Sequence, residues 1–312
     1  MIKYLLSSLL IFTYTSTTLF SQGLKDKFKF ATVGKAKELL QTPDEFTTAW
    51  SQFDIDSRMG KKGSSKSELF EFIGSQALEW NDAEKTKINS IFEEIDQKIK
   101  EENFKIEFPE EIYFVKTTAK EESGALGYTR ANYIILKAGA ADLPKAKLMS
   151  LIVHELFHVL TRNNSDFRKE MYNIIGFQII AAVGYPEQLK NYRITNPDAP
   201  LTDSYITLKI DGKDTDCMMI LYSEKEYDGG FFFSYLKVGF LKLENQKIYY
   251  SNGEHKVYKM NEASNFFEKV GNNTNYNINP EEIMAMNFSF ALLGKDELKD
   301  PWVVEEIKKK LQ

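Results

Sequence analysis

Two of the three histidines in this 312-residue chain stand four apart in "LIVHELFHVL", Leu151 to Leu160, with a glutamate directly after the first. On an α-helix each residue advances about 100°, so His154 and His158 project from one face, one turn apart, with Glu155 beside them. Two imidazoles at that spacing can hold one Zn2+, and the adjacent carboxylate can take the proton of a zinc-bound water. Leu148, Ile152, Leu156 and Val159 form the opposite stripe, which predicts a helix whose other side is core. A catalytic zinc takes three protein ligands and keeps one position open, so a third ligand is required from elsewhere in the chain.

The pattern H-E-x-x-H on a helix is that of zinc metalloproteases. After His158, "VLTRNNSDFR" has neither the glycine nor the third histidine of a metzincin, which excludes that class. Further on, "NPEEIMAMNFSFALL", Asn279 to Leu293, resembles the second metal helix of gluzincins, whose third ligand is a glutamate on a separate helix. Asn279 is placed to cap this helix and Pro280 to take its first turn. Glu282, Ala285 and Phe288 have an E-x-x-A-x-x-F cadence similar to that of lethal-factor-type catalytic domains. The resemblance implies a zincin-like peptidase in which His154, His158 and Glu282 hold Zn2+ and Glu155 is the general base, with Glu281 the alternative ligand one register earlier. It departs from thermolysin-like members at Met286, where they carry an acidic residue that bonds a metal-bound histidine. A partner for the imidazole is then expected from Asn287 or a backbone carbonyl.

A peptidase also gains from a donor to the developing oxyanion. Tyr276, six residues before Glu282, is the first choice and His255, the remaining imidazole, the second; either can also be structural. Arg162, one turn past His158, can orient a carboxylate or cap the helix end. "YTRANYIIL", Tyr128 to Leu136, lies where zincins carry an edge strand that pairs with an extended peptide; an interior strand is the competing reading. "ITNPDAP", Ile194 to Pro200, reads as a stiff structural connection.

These residues need two helices and a sheet to position them, and the periodicities provide such elements. Residues 67–137 alternate helical and strand patterns. "DLPKAKLMSLIVHELFHVLTR" opens the first metal helix with Asp142 as N-cap, and "DFRKEMYNIIGFQIIAAVG" predicts a second long helix closed by Gly184. Residues 204–260 are β-rich, with turns at Asp211-Gly212, Gly229-Gly230 and Asn252-Gly253. The expected fold is α+β, a zincin-like core with a β-rich insertion between the metal helices. The expected domains are a signal peptide at 1–22, an N-terminal segment at 23–66 ending in the linker-like "GKKGSSKS", and a catalytic domain at 67–312.

Lys3 followed by "YLLSSLLIFTYTSTTLF" has a signal-peptide layout, with cleavage near Ser21/Gln22, which predicts a secreted or periplasmic protein without stable membrane insertion afterwards. Cys217 is the single cysteine, so no intramolecular disulfide forms. A net charge of −5 on a mixed surface excludes a concentrated basic face and with it nucleic acid as a partner. The expected partner is a peptide or protein substrate; the alternative function is an exported binding or surface protein on a degenerate zincin scaffold.

Overall fold

The computed structural model describes residues 23–312; the expected signal segment lies outside them. The fold is mixed α+β, with two sheets. The first contains β1 (Phe28–Phe30), β2 (Ala77–Leu78), β3 (Ile112–Thr117), β4 (Gly127–Arg130) and β5 (Tyr133–Lys137), in the order β1-β3-β5-β4 with β2 also on β3. β1, β3 and β5 are parallel, and β4 is an antiparallel edge.

Both faces of this sheet are covered. The two-residue period sends Phe114, Ile134 and Leu136 into a core with α6 (Asp82–Glu101) and α7 (Lys145–Asn163). Val115, Ile135 and Tyr133 pack on the other face against α2 (Val33–Gln41) and α5 (Lys66–Ser75). α1 (Leu24–Lys27), α3 (Glu45–Thr48) and α4 (Gln52–Met59) complete the N-terminal part. The predicted linker is a turn: Gly60 ends α4 in the left-handed conformation, and Ser65 opens α5 in a capping box with Glu68.

Two helix boundaries differ from the sequence expectation. Asp142 is not the cap of α7; it closes a 3-10 turn, and Pro144 precedes the first helical residue. Leu143 is the reason, because a residue before proline is pushed out of the α region. The second long helix is shorter than predicted: α8 (Ser165–Ile174) stops before Gly176, whose φ is +79°, and the chain continues as β6 (Phe177–Ile179). The β-rich block therefore begins earlier than residue 204. Its antiparallel sheet runs β10-β9-β8-β7-β6, from β7 (Ser204–Ile210), β8 (Lys213–Tyr222), β9 (Lys237–Glu244) and β10 (Lys247–Ile248), with β11 (Val257–Lys259) also on β9. α9 (Phe266–Val270), α10 (Pro280–Leu293) and α11 (Trp302–Leu311) close the chain.

α10 packs along α7. Phe157 and Phe288 meet with ring centres 5.3 Å apart, the Ser150 and Ser289 hydroxyls lie 3.1 Å apart, and Ala285 is fully buried. Small residues at such a contact let two helix backbones approach.

α4 clamps the connection after α8. Asp54, buried, accepts from the Thr195 N–H at 2.9 Å and the Thr195 hydroxyl at 2.7 Å. Arg58, also buried, bridges Asp54 and Glu122 at 2.8 Å each and donates to the Thr195 carbonyl. Removing one member leaves buried charge and buried donors unpaired. Asp54→Ala is expected to lower the unfolding free energy by about 3–5 kcal/mol in urea denaturation; a loss under about 1 kcal/mol contradicts the clamp.

Candidate metal centre

Helical spacing aligns the two histidines of α7, and the N-terminus of α10 meets them. Asn279 caps α10 by accepting the Glu282 N–H at 2.9 Å, with Pro280 in the first turn. This fixes two adjacent buried carboxylates, Glu281 and Glu282, opposite the imidazoles.

His154 Nε2 lies 3.0 Å and His158 Nε2 3.7 Å from the same oxygen, Glu282 Oε2. His154, His158 and Glu282 each present a ligand atom within 4.8 Å of the others. His158 Nε2 is buried and has no hydrogen-bond partner. Two imidazole nitrogens, one of them buried and unpaired, converge with one carboxylate oxygen, which fits the donor set of a three-ligand zinc site.

Glu281 is not a ligand of this cluster. Its Oε1 takes His158 Nδ1 at 3.0 Å together with the Thr161 hydroxyl, and its Oε2 takes the Tyr172 hydroxyl at 2.7 Å. Burial and the Glu281 charge raise the Tyr172 phenol well above its usual range. A carboxylate that accepts from Nδ1 fixes the tautomer in which the neutral ring would offer its Nε2 lone pair. Asn287, one of the two expected partners, instead bonds the Ile283 carbonyl and Asn273, and the other, a backbone carbonyl, is not what Nδ1 of His158 meets. His154 Nδ1 is buried without a partner.

The connection Ile194 to Pro200, read from sequence as structural, is part of the site. Asn196 Nδ2 donates to Glu282 Oε1 at 2.6 Å. Asp198 lies with Glu155 and His158 in a second group whose ligand atoms fall within 4.8 Å of one another. Its Oδ1 accepts the Thr129 N–H at 2.6 Å. Arg162 donates to the carbonyls of Thr129, Pro197 and Asp198, all outside its own helix, tying the connection to β4. A Pro-bounded loop held by hydrogen bonds can border a cleft and carry binding residues, but the sequence held no spacing signal for Asp198.

Glu155 Oε2 accepts the Thr129 hydroxyl at 2.8 Å. A Cβ at Gly127 would lie 2.8 Å from Glu155 Oε1, so only glycine leaves the carboxylate its place. Burial, then the charge of Asp198, raises Glu155 well above the usual carboxylate range. Burial likewise pushes Asp198 to about 7, against the pull of His158. Burial works against charge on His158, but Asp198, Glu281 and Glu282 raise it to about 10. Burial lowers His154, with the Glu282 hydrogen bond opposing. Glu282 is lowered despite burial, because His154, His158 and Asn196 stabilise its charge.

The predicted edge strand is divided: β4 is the edge and β5 is interior. The Lys137 N–H bonds the Leu126 carbonyl, so the antiparallel register turns the backbone N–H and C=O of Gly127 and Thr129 outward. Asp198 and Arg162 occupy those of Thr129. Tyr276, 43% exposed, lines a cavity with Gly127, Asn196 and Asp198, and the Glu282 charge, then burial, raises its phenol. His255 stands beside Tyr250, ring centres 6.3 Å apart, and is not part of either ligand group.

Asp198→Ala is expected to speed amide exchange at Thr129 by about tenfold or more, the loss of a hydrogen bond to a charged acceptor being worth about 1.5–3 kcal/mol. Unchanged exchange in a variant of unchanged melting temperature contradicts the contact.

Comparison with family models, curated proteins and solved structures finds no match to this chain.

Proposed function

We propose that this chain is an exported zinc-dependent peptidase of gluzincin type, with His154, His158 and Glu282 holding the metal. The observation that carries the reading is the convergence of His154 Nε2, His158 Nε2 and Glu282 Oε2 beside a buried glutamate. Zn2+ bound there would act as a Lewis acid on the scissile carbonyl and on water. Glu155 accepts the proton of the attacking water and returns it to the leaving amine. Thr129 and the absent side chain at Gly127 hold that carboxylate in line. Glu281 keeps His158 in the tautomer that offers Nε2. Tyr276 is the donor to the oxyanion, and the outward N–H and C=O of Gly127 anchor an extended peptide. Export is inferred from residues 1–22; among the described residues no helix is long and apolar enough to cross a membrane.

The second reading is an exported binding or surface protein on a degenerate zincin scaffold. One observation favours it: Asp198 and Arg162 already take the edge groups of Thr129.

Zinc per chain and hydrolysis of a labelled unstructured protein separate the two. The peptidase reading expects about one zinc in the wild type, and Glu155→Gln that keeps zinc while losing hydrolysis by about 10²–10⁴-fold. Glu281→Ala is expected to weaken zinc by about 10–100-fold, and Glu282→Ala by at least as much. Wild-type protein that takes up no zinc contradicts the reading; zinc without hydrolysis favours the binding protein.

Gly127→Ala gives a further test. The added methyl displaces the Glu155 carboxylate, and a misplacement of about 1 Å can cost about 10²-fold in rate. Hydrolysis is expected to fall by that order with zinc content unchanged; full activity contradicts the role given to Glu155.

A further inference from the structure

A cavity of about 90 Å³ opens between the metal centre and the β-rich sheet. Gly127, Asn196, Asp198 and Tyr276 line it together with Leu221, Phe232, Phe233 and Leu236. We propose that this cavity is a substrate subsite that takes one apolar side chain, of the leucine or phenylalanine class, from an extended peptide. The proposal builds on the peptidase reading, but its binding step does not require that the bond be cut.

Three features carry it. First, the apolar wall is backed by packed rings and so keeps its shape. Phe53 lies 6.3 Å from Phe232 and 5.4 Å from Tyr235 between ring centres, in a cluster that also packs Leu236 and Ile278. That cluster covers Phe232 and Leu236 only in part and leaves their remaining surface to the cavity. Second, two of the charged groups that line the cavity satisfy each other: Arg58 is bridged to Glu122 and also to Asp54. A further charged side chain competes with that pair, whereas an apolar one meets Leu221, Phe232, Phe233 and Leu236. Third, Gly127 lines the cavity and also presents its backbone N–H and C=O on the β4 edge. A strand paired there sends alternate side chains to one face, the geometry in which backbone bonds give affinity and a pocket gives selectivity.

The volume admits one medium-sized side chain rather than a folded segment. Phe233, 45% exposed, is the lining residue that can be truncated without opening the core; Tyr250, also 45% exposed and not lining the cavity, serves as the control.

The test uses the zinc-loaded full chain carrying Glu155→Gln and fluorescently labelled Gly/Ser/Ala peptides that differ at one position: Leu, Phe, Asp, Lys or Gly. Fluorescence anisotropy is expected to show Leu or Phe peptides binding at least about tenfold tighter than the other three, the scale set by groups of methylene size in an apolar pocket. Phe233→Ala is expected to cut that preference to about threefold or less, and Tyr250→Ala to leave it unchanged. Equal binding of all five peptides, tighter binding of Lys or Asp, no binding of any, or a preference untouched by Phe233→Ala overturns the proposal. Apolar-selective binding by the wild type without cleavage supports the subsite and counts against the peptidase reading alone.

Discussion

The contact between α7 and α10 is the constraint on which the rest of the site depends. It packs two imidazoles, His158 fully buried and His154 largely so, against two adjacent buried carboxylates, where an uncompensated charge is costly. The arrangement divides the work. Glu281 points to the Nδ1 of His158 and is satisfied by Thr161 and Tyr172, while Glu282 faces the Nε2 atoms of both histidines. With Glu155 and Asp198 also buried nearby, carboxylates outnumber imidazoles, and a divalent cation is the partner that such a donor set favours.

The other parts of the fold converge on the same place. α4 holds the 194–200 connection through Asp54 and Arg58; Arg162 ties that connection to β4; and the connection brings Asn196 and Asp198 to the cluster. The segment before residue 60 thus bears on the geometry of the site although it contributes no ligand. The β-rich block contributes Leu221, Phe232, Phe233 and Leu236 to a cavity next to Gly127, which gives a chemical reason for its position between the two helices.

The α+β class and the helices bearing His154, His158 and Glu282 were legible in the sequence because each rests on a local signal: the i, i+4 histidines of one and the Asn279-Pro280 start of the other. Partners distant in sequence were not legible. Asp198 meets Glu155 and His158 from a loop with no metal-ligand spacing, and Glu281 differs from Glu282 only by a 100° rotation that sequence cannot orient. The helix read through Gly184 failed for a related reason. "GFQII" is apolar enough for either structure, and pairing with β7 decides for strand once Gly176 turns the chain. The imidazole partner expected from Asn287 or a backbone carbonyl was missed in the same way, since the Nδ1 of His158 meets Glu281, the residue just before Glu282.

The most direct test of the central claim is anomalous X-ray diffraction at the zinc edge from crystals grown with zinc. The account predicts a single strong peak bonded to His154 Nε2 and His158 Nε2 at about 2.0–2.1 Å and to a Glu282 oxygen at about 2.0–2.2 Å. A peak ligated by Asp198 and Glu155 instead, or crystals with these side chains in place and no peak between them, would contradict it.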